Sequence, residues 1–341
     1  MIGERAAGLV EGPQPLFTLI YVVHGDASYG YHDSAGHRHL ADTEAVAQAL
    51  QVGRTCTRAE VFIFHQVPGR WPFRKADGVL WHFRQGRLIH HNLYSRAGTS
   101  GDFGPEAGYY HKYVRAPQAR AFRAPSSPRV SPVFFCYFGH EIPVTTDTGY
   151  SRSYPMRTFS LADFLLSLDR FSLPEYRYPR PFSLVVLSAC NGGNPMMTWA
   201  LAPYAEYVLA SPGNLHLSFF DTRALLDLDR ENPAAWDRER ARTLGEALAQ
   251  GSFRRLRENT STAIAVALYD MDEAYPYLDA RRESWDRNRM AGAGAPVYRD
   301  CGENESFGPG GMQAGAEVFY QPPRFGSRQG KRAHSGWECA Q

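Results

Sequence analysis

Two near-continuous apolar runs joined by a single amphipathic helix constrain this chain more than any other feature. The first run is Pro132-Val133-Phe134-Phe135-Cys136-Tyr137-Phe138-Gly139-His140, and the second is Pro181-Phe182-Ser183-Leu184-Val185-Val186-Leu187-Ser188-Ala189-Cys190-Asn191-Gly192-Gly193. Between them Leu161, Phe164, Leu165 and Leu168 follow the i, i+3, i+4, i+7 spacing of a helix with one apolar face, and Ser160 with Asp163 makes a capping-box start. Apolar strands without polar alternation are buried on both faces, which is the condition of parallel strands in an α/β sheet. A βαβ unit delivers both strand ends to one edge of the sheet, where open α/β folds build their sites. His140 and Cys190, 190 − 140 = 50 residues apart, are therefore expected side by side at one rim. A histidine beside a thiol is a candidate base and nucleophile. The plain alternative for Cys190 is a buried cysteine ahead of an ordinary turn.

The order strand, His, helix, strand, Cys resembles the caspase-like cysteine peptidases, the clan of caspases, gingipains, separase and clostripain. Three further segments resemble the clostripain branch: Pro203-Tyr204-Ala205-Glu206-Tyr207-Val208-Leu209-Ala210-Ser211-Pro212, then Thr262-Ala263-Ile264-Ala265-Val266-Ala267-Leu268-Tyr269-Asp270, and an opening strand at 16–23 followed by Gly25-Asp26. The resemblance covers residues 16–285. It implies a three-layer α/β/α sandwich with a mostly parallel central sheet. It also implies a cysteine endopeptidase with Cys190 as nucleophile, His140 as general base and acid, and oxyanion N–H donors at Cys190 and Glu141. The family usually carries His-Gly where this chain has His140-Glu141. A carboxylate turned inward there would oppose an oxyanion, so a catalytically inactive interaction module is the alternative reading. His24-Gly25 repeats the family's dipeptide, but His24 lies 190 − 24 = 166 residues from Cys190 and is read as a rim residue near the site. Asp221 is the acidic residue expected to receive a basic (Arg or Lys) P1 side chain, with a solvated loop Asp or a helix N-cap as its bland reading. Ser188, Gly25 and Asp26 are expected to contact substrate. The resemblance further implies maturation by internal cleavage after a basic residue. The candidates are Arg152 and Arg157, with Arg115, Arg120, Arg123 and Arg129 further upstream. No cofactor is required by such chemistry, and calcium enters by resemblance alone.

The chemistry needs these residue types. A thiol with an ordinary pKa of about 8.5 is mostly protonated at neutral pH. A histidine can take its proton and return one to the leaving amine, and the tetrahedral oxyanion needs N–H donors.

Composition narrows the partners. A net charge of +2 gives no basic footprint for nucleic acid, and no apolar run approaches the roughly 18 residues of a membrane span. The expected partner is a protein or peptide substrate, and the sequence is silent on oligomeric state. Residues 1–15 lack the charged-then-apolar pattern of a signal peptide, which points to the cytoplasm, or to secretion if a signal has been removed. Five cysteines, an odd number, do not make a disulfide framework. Eight of the twelve histidines precede Asn92, among them His32, His37, His39, His90 and His91. They raise a His-ligated metal hydrolase as a further alternative, although none shows the helical zinc spacing. One peptidase domain over 1–285 is expected, interrupted at 66–130 by a hairpin and a Gly/Pro/Arg-rich stretch. The stretch over 95–129 is expected to be a lid, flap or surface loop. An irregular extension, with an edge strand at 317–319, fills 286–341.

Overall fold

All eight side chains of β1 (Phe17–His24) are buried, and their alternation assigns each to a face. Ile20 and Val22 join one core, while Phe17, Leu19, Tyr21 and Val23 join the other. A strand in that position must lie between two layers of helix, which is why its sequence is apolar throughout. The computed structural model describes residues 17–32, 36, 38–68, 77–96, 101–121, 132–144, 153–172, 180–215, 220–231, 236–283 and 312–324.

The remaining strands are a small pair, β2 (Gly30–His32) and β3 (Arg38–Leu40), then β4 (Ala59–Gln66), β5 (Gly78–Arg84), β6 (Arg87–Tyr94), β7 (Val133–Phe138), β8 (Phe182–Ser188), β9 (Ala205–Ala210), β10 (Ile264–Asp270), β11 (Met312–Gln313) and β12 (Ala316–Gln321). Ten of them form one sheet in the order β11-β12-β10-β9-β8-β7-β1-β4-β5-β6. The run β9-β8-β7-β1-β4 is parallel, with antiparallel strands at both flanks. The β5–β6 hairpin turns through Gln85 and Gly86, both at positive φ (53° and 74°), as a two-residue turn of this hand requires. Helices α1 (Ala41–Thr55) and α5 (Arg238–Asn259), with a 3-10 helix at Arg223–Arg230, cover one face; α2 (Gly104–Ala121), α3 (Leu161–Phe171), α4 (Pro195–Leu201) and α6 (Met271–Asp279) cover the other. The result is the expected three-layer α/β/α sandwich.

The chain leaves β1 for α1 on one face and leaves β7 for α3 on the other. The strand order therefore reverses between β1 and β7, and a crevice opens at their carboxyl ends. Helix α3 begins as the sequence indicates: Ser160 is the N-cap, and its capping box with Asp163 is complete.

One expectation fails. Within the stretch over 95–129, residues 104–121 are not a loop, because α2 occupies them. Phe103, Ala107, Tyr110 and Val114 are buried on one stripe of that segment, and the Phe103 N–H donates to Ser167 Oγ of α3 (2.9 Å). Gly104, Pro105, Gly108 and Pro117 masked the helical period, although proline is well tolerated in a first turn. Residues 317–319 do belong to a strand at the margin of the sheet: β12 pairs with β10 along its length, and the two-residue β11 covers only Ala316 and Glu317 on its other side.

Candidate active site

β7 and β8 are in parallel register with Phe138 opposite Ser188. His140 and Cys190 each sit two residues beyond that pair, so both emerge at equal depth on neighbouring strands. The two turns are fastened together: the Gly139 N–H donates to the Ser188 carbonyl (3.3 Å), and Asn191 Nδ2 donates to Glu141 Oε2 (2.9 Å). Glu141 thus spends its carboxylate on the turn that follows Cys190.

His140 is oriented from the β1 side. Its Nε2 lies 3.0 Å from Asp26 Oδ2, with the histidine 29 % exposed and the aspartate 1 %. Because an ionised carboxylate only accepts, Nε2 is the nitrogen that carries a proton in this pair, and a neutral imidazole then has its lone pair on Nδ1. Asp26 is itself fixed. Its Oδ1 accepts from Ser28 N–H (2.9 Å), Ser28 Oγ (2.8 Å) and Ser153 Oγ (3.1 Å). The Tyr29 ring packs against the imidazole at 4.8 Å between centroids. Sequence reasoning placed Asp26 against substrate; the structure places it behind the histidine. The clue was present in Asp26-Ala27-Ser28, the spacing of an Asx turn.

Cys190 is partly buried, and its thiol donates to Asn214 Oδ1 (2.7 Å), on the loop that follows β9. The turn beyond it depends on two different residues. Asn191 takes the left-handed conformation (φ 54°), and Gly193 allows a close approach, since a Cβ there would lie 3.0 Å from the Pro212 nitrogen. Asn214 was not foreseen, and nothing in its local sequence marks it. The other described cysteines are buried. Desolvation lifts Cys56 to about 12 and pushes Cys136 higher still, so neither is a nucleophile at neutral pH.

The other expected positions do different work. Ser188 is buried, and its Oγ accepts the Phe220 N–H (2.9 Å). Gly25 is a packing glycine, because a Cβ there would stand 2.6 Å from Asp42 Oδ2, from the Gln66 carbonyl and from Pro68 Cδ. His24 is no rim residue. It is 3 % exposed, edge-on to Phe103, Tyr137 and Phe159, and desolvation with Arg96 and Arg157 nearby holds its pKa well below 6.5. Asp221 is 7 % exposed and already holds a guanidinium: Arg223 Nε donates to both of its oxygens (2.9 and 3.0 Å), and the Arg223 N–H donates to Oδ1 (2.9 Å). Burial pushes the Asp221 carboxyl up, but the Arg223 hydrogen bonds outweigh it and hold the group below the usual range. Arg157 is anchored rather than looped out. It pairs with Asp77, donates to the Arg96 carbonyl (2.7 Å) and stacks on Tyr154. Arg152, Arg123 and Arg129 lie outside the described residues.

Among the described residues no group of three or more His, Cys, Asp and Glu side chains is placed to hold a metal ion. His90 stacks on Tyr113 and His91 on Trp81, while His37 lies outside the described residues. No described helix is long and apolar enough to cross a membrane.

No family model and no curated protein matches the chain. Solved structures do resemble it. A secreted C11 cysteine protease from Bacteroides thetaiotaomicron, in complex with an irreversible peptide inhibitor, aligns with TM-score 0.50 and 10% identity over 81% of this chain and 71% of that one. A secreted C11 cysteine protease from the same organism, iotapain, aligns with TM-score 0.45 and 10% identity over 82% and 72%. An inactive zymogen C11 protease from Parabacteroides distasonis aligns with TM-score 0.45 and 12% identity over 85% and 67%. At such identity the likeness speaks for the architecture alone, which is the caspase-like sandwich.

Proposed function

We propose that the chain is a cysteine endopeptidase in which Cys190 attacks the peptide carbonyl and His140 moves the proton. The observation that carries this reading is His140 held at Nε2 by the buried Asp26 while Cys190 follows the adjoining strand by the same two residues beyond the Phe138–Ser188 pair. His140 Nδ1 accepts the thiol proton, and the thiolate adds to the carbonyl carbon. The backbone N–H groups of Cys190 and Glu141 are the donors assigned to the oxyanion. Collapse of the tetrahedral species expels the amine with the proton from His140, and water then hydrolyses the thioester by the same route. The chemistry calls on no cofactor.

Preference for Arg or Lys at P1 is part of the proposal, with Asp221 as its acceptor. Arg223 occupies that carboxylate, so a substrate guanidinium must displace it. Arg223 is half exposed while the Asp221 carboxylate is buried, so the incoming guanidinium has to replace the hydrogen bonds that Arg223 makes to both oxygens.

The test compares wild type, Cys190→Ala and His140→Ala on peptides with Arg, Lys or Asp at P1, with N-terminal sequencing of any self-cleaved product. The reading expects loss of turnover in both variants and cuts after arginine in wild type alone. Full turnover in Cys190→Ala removes it from the mechanism. A folded wild type that hydrolyses none of these peptides and resists thiol-directed peptide inhibitors favours the inactive interaction module.

A further inference from the structure

The thiol of Cys190 donates to a side-chain amide, Asn214 Oδ1 at 2.7 Å. The loop carrying Asn214 is stapled to the nucleophile's turn. The Asn191 N–H donates to the Gly213 carbonyl (2.8 Å), the Gly193 N–H donates to the Ser211 carbonyl (2.8 Å), and the buried Ser211 Oγ donates to the Gly213 carbonyl (3.0 Å). Gly193 permits that approach, as its missing Cβ would crowd Pro212. These bonds fix the backbone that leads into Asn214, on the turn where its amide meets the sulfur.

From this contact we infer that Asn214 is a further catalytic residue, whose amide accepts from the resting thiol and donates to the thiolate. The inference rests on the reading of Cys190 as nucleophile. An amide carries an acceptor and two donors on one rotatable bond. When His140 takes the proton, the S–H bond breaks, an N–H bond forms on the imidazole, and the sulfur keeps the electron pair. Half a turn about the Asn214 side chain then presents Nδ2–H to the new anion. The two contacts are unequal. A thiol is a weak donor, whereas a hydrogen bond to an ionised partner is about twice as strong as a neutral one. Asn214 therefore gains more from the thiolate than from the thiol and favours ionisation. The same donor lies beside the sulfur during attack, on the side away from β7 and its histidine.

The experiment reads the thiol directly and needs no substrate. Wild type, Asn214→Ala and Asn214→Asp are alkylated with iodoacetamide across neutral to alkaline pH, and modification of the Cys190 peptide is followed by mass spectrometry. A charge-assisted bond of ordinary strength corresponds to about one pH unit. The midpoint for Asn214→Ala should rise by about that amount. Asn214→Asp should rise further, because a fixed carboxylate keeps accepting from the thiol and repels the thiolate. An unchanged or lowered midpoint in Asn214→Ala overturns the proposal, and a lowered one means that the contact holds the thiol protonated. Asn214 is exposed, so neither variant empties a core, and equal melting temperatures verify this. Peptide hydrolysis by Cys190→Ala tests the nucleophile separately, so either idea fails without the other.

Discussion

Replacing Asp26 by Asn changes one atom and should nearly silence the proposed peptidase activity without unfolding the chain. The structure separates the two effects. Oδ1 of Asp26 receives Ser28 N–H, Ser28 Oγ and Ser153 Oγ, and an amide oxygen can receive all three. Oδ2 faces His140 Nε2 at 3.0 Å, where the amide would place an N–H instead of an acceptor. Two donors then oppose each other unless the imidazole proton moves to Nδ1, and the base is lost because Nδ1 was its free lone pair. General-base assistance is worth about 10²–10⁴-fold, and a histidine locked in the wrong tautomer loses about 10⁴-fold. A fall in kcat/KM of about 10³-fold corresponds to about 4 kcal/mol of transition-state stabilisation. Asp26→Ala should also lower stability modestly, because it removes the hydrogen bonds from Ser28 and Ser153, worth about 0.5–1.5 kcal/mol each where water can reach the donors. The assay is kcat/KM on a cleavable peptide, beside melting temperature, for wild type, Asp26→Asn, Asp26→Ala and His140→Ala. Asp26→Asn within tenfold of wild type would refute the reasoning, as it would show that the carboxylate does not set the tautomer.

Two further outcomes follow from charges described above. Arg223→Ala frees the Asp221 carboxylate and should raise kcat/KM for Arg-P1 peptides several-fold with little change for uncharged ones; no change in that ratio removes Asp221 from substrate selection. His24 stays neutral in the fold because burial depresses its pKa below the unfolded value of 6.5. Below that pH the unfolded chain binds a proton that the native one refuses, so stability is full above about pH 6.5 and declines as pH falls, by at most about 1.4 kcal/mol per pH unit from this group. His24→Phe, in its cage of Phe103, Tyr137 and Phe159, should flatten denaturant-derived stability against pH over that range, and an unaltered slope assigns the acid sensitivity elsewhere.

The parallel heart of the sheet was legible because β1, β7 and β8 are apolar on both faces, a pattern with few other uses. The cap of α3 was legible because Ser160 and Asp163 act within one turn. Helix α2 was hidden because its glycines and prolines signal a loop locally, while the burial of Phe103 and Tyr110 against α3 and the sheet overrides them. In the site, the placement of His140 and Cys190 followed from strand ends and spacing. The partners of those residues did not. Asp26 reaches His140 across 140 − 26 = 114 positions, and Asn214 reaches Cys190 across 214 − 190 = 24. Local pattern carries no record of such pairings. Asp221 shows the converse limit, since the arginine it holds in this structure comes from only two residues away and was not anticipated.

The strand order also dictates when this site can exist. β1, made first, lies between β4 and β7, and its aspartate must wait for His140; the cysteine in turn waits for the loop after β9. During synthesis residue 190 precedes residue 214 by 24 positions, and pairings over long separations such as Asp26 with His140 form late. A ribosome-bound chain thus carries the nucleophile without its full surroundings. The proposed site is therefore complete only after most of the sheet has been laid down.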